Sequence, residues 1–368
     1  MNWKNCLLIL FSFLMVNAAF AQPGEDGLTD KERAYRDSIA ALNAENAATA
    51  EAQEAYNKGI TLFAQKKYNE AITSFDVAIQ GDPVFKAAYY NKGVAQMEAK
   101  KHKGAIKTFT ALIKMDDEHA KAYFQRGKSH QELGSLDDAA TDYAQATFFD
   151  PKNEKPYYNL GVIHFIQSDY DKAIERFTKA ISLKSDFAYA YNDRGSCYRQ
   201  KKEYSKAVLD YEQADKYNPT LAFVQNNIGT TKKLMGDYPG AITAYNRAIS
   251  IDANFYLAYN NRGSAMFEQK RYDDAVKDFD RTIQINAKYA PAYNNRGSVK
   301  HKKEDYKGAI ADFTKAIQLD PEYANAYVNR GISREMNRNV EGACSDWSKA
   351  RELGAPQGKR YSVNDCAN

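Results

Sequence analysis

A fixed period is the feature that most constrains this chain. Gly59, Gly93, Gly127, Gly161, Gly195, Gly229, Gly263, Gly297 and Gly331 follow one another at 34-residue intervals, without one insertion or deletion. Twelve residues after each glycine stands an alanine, from Ala71 to Ala343. Sixteen after each stands an aromatic: Phe75, Phe109, Tyr143, Phe177, Tyr211, Tyr245, Phe279, Phe313 and Trp347. Self-similarity at such a period marks an array of supersecondary units, none of which can bury both of its faces alone. Two antiparallel helices approach closely only where small residues sit at their crossing, which is the role of the glycine and alanine. The aromatics fill the space beside that crossing and reach the next hairpin.

The prolines test the register independently. Pro83, Pro151, Pro219 and Pro321 share one repeat position, each after Asp or Asn, where a second helix should end. Pro156, Pro291 and Pro239 fall at helix starts, where proline is tolerated. The period therefore predicts an all-α chain of nine 34-residue helix-turn-helix repeats over 52–357, starting near 52, 86, 120, 154, 188, 222, 256, 290 and 324.

The spacing of Tyr, Gly, Ala, aromatic, Ala and Pro resembles the tetratricopeptide repeat, which implies stacking into a right-handed superhelical solenoid. Asp117, Ser185, Ala253 and Ala287 depart from the terminal proline of that pattern, and His102, Leu136 and Val340 from a tyrosine at the helix-helix turn. The resemblance implies that the first helices line a concave surface and that the residue two before each glycine points into it. Those residues are Asn57, Asn91, Gln125, Asn159, Asp193, Asn227, Asn261, Asn295 and Asn329. Asparagine is a poor residue for a helix interior, so its recurrence asks for a reason. A carboxamide both donates and accepts, which suits the alternating N–H and C=O groups of an extended peptide. The series is similar to the asparagine ladder in the repeat superhelix of O-linked N-acetylglucosamine transferases.

The residues three before glycine divide the expected groove. They are Tyr56, Tyr90, Phe124 and Tyr158 in repeats one to four, then Asn192, Asn226, Asn260 and Asn294 in repeats five to eight. One after glycine, Ile60, Val94 and Val162 give way to Ser196, Thr230, Ser264 and Ser298. Four after glycine, Phe63, Met97 and Phe165 give way to Arg199, Lys233 and His301, with Phe267 an exception. The pattern reads as an aromatic pocket region joined to a hydrophilic channel, suited to a partner with an apolar anchor and an extended polar segment. Packing of the early aromatics against a leader helix is the competing explanation. A grip on a terminal carboxylate is not expected: Lys121 and Lys155 partly fit it, but Tyr56 and Tyr90 stand where lysine is required.

A second covarying set reads as structure. The residue before glycine is Arg126, Arg194, Arg262, Arg296 and Arg330 in five repeats, and in the same five the residue fifteen after glycine is Asp142, Asp210, Asp278, Asp312 and Asp346. The other repeats have neither, which predicts a charge-assisted pair within each of those five hairpins.

The ends carry other signals. Lys4, the apolar run Cys6 to Val16 and Ala19-Phe20-Ala21 read as a signal peptide over 1–21, cleaved after Ala21. Residues 22–51 read as a leader and N-terminal capping helix, with Tyr35, Ile39 and Leu42 on one face. Residues 358–368 read as a C-terminal cap. The end of the chain resembles a terminator of exported bacterial repeat proteins in which Cys344 and Cys366 pair, a bond worth about 3 kcal/mol. Cys197 reads as a buried small apolar residue. The expected location is periplasmic or secreted, with no membrane span.

Charge and motifs narrow the function. Of 51 Lys and Arg, loss of Lys4 leaves 50 against 47 Asp and Glu, too even for nucleic-acid binding by phosphate neutralisation. No phosphate loop, zinc motif or nucleophile elbow occurs, so no cofactor, metal or catalytic residue is expected. His130 and His164 occupy equivalent places and read as packing residues. The sequence thus points to a non-enzymatic scaffold that captures a protein or peptide segment on its concave face. The alternative is a structural or assembly subunit of a cell-envelope complex, using its convex face or ends.

Overall fold

The computed structural model describes residues 30–355 and Cys366, with the side chains of 30–35 and 42–48 left aside. The signal segment, the start of the leader and most of the expected C-terminal cap lie outside the described residues, and so do the side chains of Tyr35 and Leu42. Eighteen helices and no strand occur among those residues: α1 (Asp30–Ala64), α2 (Tyr68–Gly81), α3 (Lys86–Glu98), α4 (His102–Met115), α5 (Ala120–Glu132), α6 (Leu136–Phe149), α7 (Glu154–Ile166), α8 (Tyr170–Leu183), α9 (Ala188–Gln200), α10 (Tyr204–Tyr217), α11 (Ala222–Leu234), α12 (Tyr238–Ile251), α13 (Tyr256–Glu268), α14 (Tyr272–Ile285), α15 (Ala290–Lys302), α16 (Tyr306–Leu319), α17 (Ala324–Met336) and α18 (Val340–Glu352). They form two compact units, residues 1–149 and 150–368. In each, a first and a second helix pack as a hairpin, and the second packs on the next first helix.

The expected crossing is what holds each hairpin. All nine periodic aromatics are at most 1% exposed. A Cβ at Gly59 would come within 2.5 Å of Phe75, one at Gly229 within 2.6 Å of Tyr245, and one at Gly331 within 2.3 Å of Trp347. No side chain fits there unless the ring moves, so the glycine is fixed by contact distance rather than by backbone conformation.

All five Arg–Asp pairs form. Arg262 donates through Nε and Nη2 to the two oxygens of Asp278 at 2.8 and 2.6 Å, and Arg126, Arg194, Arg296 and Arg330 grip Asp142, Asp210, Asp312 and Asp346 in the same fork. The carboxylates are 2–6% exposed. Each arginine also does two things the sequence reading did not foresee. Its Nη1 reaches the second helix of the preceding repeat, at Thr110, Thr178, Asn246, Asp280 or Thr314. Its guanidinium also lies over the tyrosine three residues before it, 5.4–5.6 Å from the ring centre. One side chain therefore joins three elements, a use that lysine cannot match.

The turn between the two helices of a hairpin repeats a conformation that its residues do not advertise. Lys66, Lys100, Gly134, Ser168, Lys202, Gly236, Lys270, Glu304 and Arg338 all have φ between 60° and 82°, at the same repeat position. Only two of these are glycine, the residue that takes this region without cost. Second helices then start under side-chain caps where the sequence supplies one: Asp169, Asp237, Asp305 and Asn339 accept from the amides of Lys172, Gly240, Gly308 and Gly342, as N-cap residues do.

At the N-terminal end, α1 runs from Asp30 through Ala64 as one helix. The leader therefore enters the first repeat without a break. Among the described side chains, 36–41 and 49–51 are exposed and Ala52 is the first that is buried. At the other end, Cys344 and Cys366 are joined by a disulfide with Cα atoms 5.7 Å apart. Cys197 is free and buried beside Ala173 and Phe177.

Candidate functional site

The first helices of successive repeats stand side by side, staggered so that the residue two before one glycine meets the residue three before the previous one. In the first unit Asn91 donates to the Tyr56 hydroxyl at 2.8 Å and Gln125 to the Tyr90 hydroxyl at 3.4 Å. In the second unit the partners become amides: Asn227 to Asn192 at 2.9 Å, Asn261 to Asn226 at 2.9 Å, Asn295 to Asn260 at 3.0 Å and Asn329 to Asn294 at 3.0 Å. The expected peptide-reading residues thus bind one another, and the two rows that the sequence suggested are the two halves of one ladder. The poor helix propensity of asparagine is offset by a bond that only a neighbouring repeat supplies. Each amide nitrogen carries two N–H groups and a rung uses one, which leaves a second N–H on each of these six donor amides. Asn57, at the exposed start of the array, accepts from Gln53 at 3.0 Å, and Asn159 is half-buried.

The aromatic residues of the ladder are packing elements as well as lining. Tyr56 lies 5.8 Å from Phe75 and 4.8 Å from Phe85, Tyr90 6.0 Å from Phe109 and 5.6 Å from the His119 ring, Phe124 5.7 Å from Tyr143, and Tyr158 4.8 Å from Phe187. Each ring therefore leans on its own hairpin's buried aromatic or on the residue that leads into the next first helix. Val94 and Met97 pack on the Phe109 core, whereas Ile60 is 41% exposed.

One rung is inverted. Asp193 has no proton to donate, so the Tyr158 hydroxyl donates to it at 2.7 Å and Asn192 donates at 2.9 Å. Burial raises the Asp193 carboxyl above the usual carboxylate range, with those two bonds pulling the other way. It also pushes the Tyr158 hydroxyl up, helped by the carboxylate.

Two cavities open on this first-helix face of the second unit, and they occupy equivalent repeat positions. One, of about 210 Å³, is lined by Val162, Phe165, Phe177, Asp193 and Ser196. The other, of about 320 Å³, is lined by Phe267, Ser298, His301, Lys302, Phe313, Asn329 and Ile332. Val162 and Ser298 both follow a glycine, Phe165 and His301 stand four after it, and Asp193 and Asn329 are rung residues. The His301 ring sits 2.9 Å from the Ser333 hydroxyl, and burial, then Lys302, lowers its pKa, so it is neutral at pH 7. Between the cavities, Arg199 donates to Asn227 at 3.4 Å and Lys233 to Ser264 at 3.2 Å. The Lys233 pKa is lowered by burial. The hydrophilic channel expected from repeats five to eight is therefore lined by side chains that are already partly bonded to one another.

Elsewhere, His130 lies 3.7 Å from Asp138 and 3.9 Å from Asp142. Among the described residues no group of three or more His, Cys, Asp and Glu is placed to hold a metal ion. None of the helices described is long and apolar enough to cross a membrane.

Family models described as tetratricopeptide repeat match residues 56–120, 155–187, 188–221, 257–288 and 290–323, and one described as TPR repeat matches 132–168 and 233–270. No curated protein matches the chain. The fold is similar to that of a tetratricopeptide repeat protein from Parabacteroides merdae, at 21% identity and a TM-score of 0.56, covering 66% of this chain and 97% of that one. It is also similar to the APC/C hetero-tetramer Cut9–Hcn1, at 12% identity and a TM-score of 0.56, covering 86% and 76%.

Proposed function

Because the chain belongs to the tetratricopeptide repeat family, a family of protein-interaction scaffolds, we propose that it captures an extended protein or peptide segment on the face formed by its first helices, without catalysing a reaction. The observation that carries this reading is the pair of repeat-equivalent cavities on that face, each with a rung residue in its lining: the Asn329 amide, which uses one of its two N–H groups on Asn294, and the Asp193 carboxylate. An extended segment presents side chains and backbone groups at regular intervals, and a surface with pockets at a fixed repeat offers matching anchors.

Export belongs to the same proposal. Its support is the Lys4, Cys6–Val16 and Ala19–Ala21 pattern together with a Cys344–Cys366 disulfide, a bond that persists in oxidising compartments.

Photocrosslinking tests the working face. A benzoylphenylalanine at Ser264 or Ser298, on the first-helix face, should crosslink a partner from the host's envelope extract. The same group at Leu209, which is 61% exposed on a second helix, should not. Crosslinks from Leu209 alone would transfer the function to the second-helix side and to assembly of an envelope complex.

A further inference from the structure

We propose that the cavity at Asp193 is a subsite for a lysine or arginine side chain of the captured segment, a proposal that rests on the first-helix face being the binding face. Asp193 is the one acid among the nine rung positions. An asparagine there would be ordinary: Asn91 donates to the Tyr56 hydroxyl, and the same geometry is open to an asparagine facing Tyr158. The carboxylate is therefore not required by the ladder.

Its charge is also unpaired with any cation among the described residues. Arg194, the next residue, spends both edges of its fork on Asp210 and its remaining Nη1 on Thr178. Arg199, one turn on, is held by Asn227. Among the described residues no cation pairs with Asp193. Its two hydrogen bonds come from a hydroxyl and an amide, and they leave acceptor capacity facing the cavity, since a carboxylate offers about four lone-pair sites. Burial already disfavours the charge in the free protein.

The walls select the shape of the occupant. Val162, Phe165 and Phe177 present apolar surface, which suits a methylene stem. A neutral apolar side chain would strip remaining water from the carboxylate and return nothing, and an acidic one would repel it. A lysine or arginine lays its stem on the rings and brings its charge to the carboxylate at the base. The equivalent cavity at Asn329 has Ser298, His301 and the cationic Lys302 in its lining and no acid, and so carries the opposite preference. The chain thus holds its own control.

The test uses the whole chain and a library of fluorescein-labelled extended nonapeptides in which one position in turn is lysine, arginine, norleucine or glutamate, read by anisotropy. Lysine or arginine members should bind at least tenfold more tightly than norleucine members, and Asp193→Asn should erase the difference. Val162→Lys, which tethers an ammonium in the cavity, should erase it as well, so the result does not hang on one variant. Ser298→Ala, at the equivalent cavity, should leave it intact. Equal binding of lysine and norleucine members, or a preference that survives both variants, overturns the subsite and leaves groove capture standing. Failure of every member to bind overturns the groove reading itself.

Discussion

The two sides of a first helix solve the same problem, holding that helix against its neighbours, with different chemistry. On the crossing side the solution does not vary: a glycine under a buried ring in all nine repeats, and an identical arginine fork wherever the arginine occurs. On the other side three solutions are used. Amide meets phenol at Asn91 and Gln125, phenol meets carboxylate at Asp193, and amide meets amide from Asn227 onward. The difference follows from space. At the crossing a Cβ has nowhere to go, whereas a rung open on one side accepts any donor–acceptor pair of the right reach. Variation on the open side is therefore available for recognition, and neighbouring residues in one helix can answer to different demands.

Asn261 and Arg262 make that contrast testable, because they are adjacent in sequence and bond different neighbouring helices. Arg262→Met strands Asp278, whose side chain is 7% exposed, without its fork. The expected cost is about 3 kcal/mol, read as faster hydrogen exchange of α13 and α14, since a repeat array need not unfold in one step. Adding Asp278→Leu should recover much of it. A cost under about 1 kcal/mol would mean that the pair is solvated like an ordinary surface bridge. Asn261→Ala removes one rung of 2.9 Å and leaves the Asn226 carbonyl to find water, so about 1 kcal/mol is expected. If it costs as much as the arginine change, the ladder is a core element and the comparison fails.

What was legible in the sequence follows the same division. Gly59 with Phe75 and its eight equivalents, and the Arg–Asp sets, could be read because steric and charge constraints leave few residue types. The ladder was half legible: the asparagines stood out, but their partners were read as a separate row of ligand contacts. The signal that would have joined them is the 35-residue offset between Asn192 and Asn227, or Asn260 and Asn295, one repeat plus one residue. The left-handed turns at Lys66, Ser168 or Glu304 were not legible, because the backbone bonds that close the end of each first helix, such as Lys67 to Leu62, hold that conformation on residues that do not prefer it. The Asp193 cavity was also missed. Nothing in one acid within a row of amides shows that no cation lies nearby.

Asp193 gives the smallest expected effect and the one opposite in sign. Its carboxyl is raised in the folded chain, so folding disfavours the charged form. Stability from this group is greatest below the unfolded carboxylate pKa and is lost as pH rises through the folded one. The titratable groups around it do not change charge in that window: the Tyr158 and Tyr211 hydroxyls are raised and the Cys197 thiol is pushed up to about 12 by burial, while Arg199 is turned toward Asn227. Asp193→Asn should therefore stabilise the second unit at pH 7, by about 0.5–1 kcal/mol, and the gain should shrink as pH falls through the carboxylate range. Thermal melts of both chains at pH 7 and pH 4 read this directly. A variant less stable at pH 7 would make the carboxylate a structural rung after all. A gain at pH 7 that vanishes in acid would mark a residue retained against stability, on the side of the helix where the fold leaves the choice open.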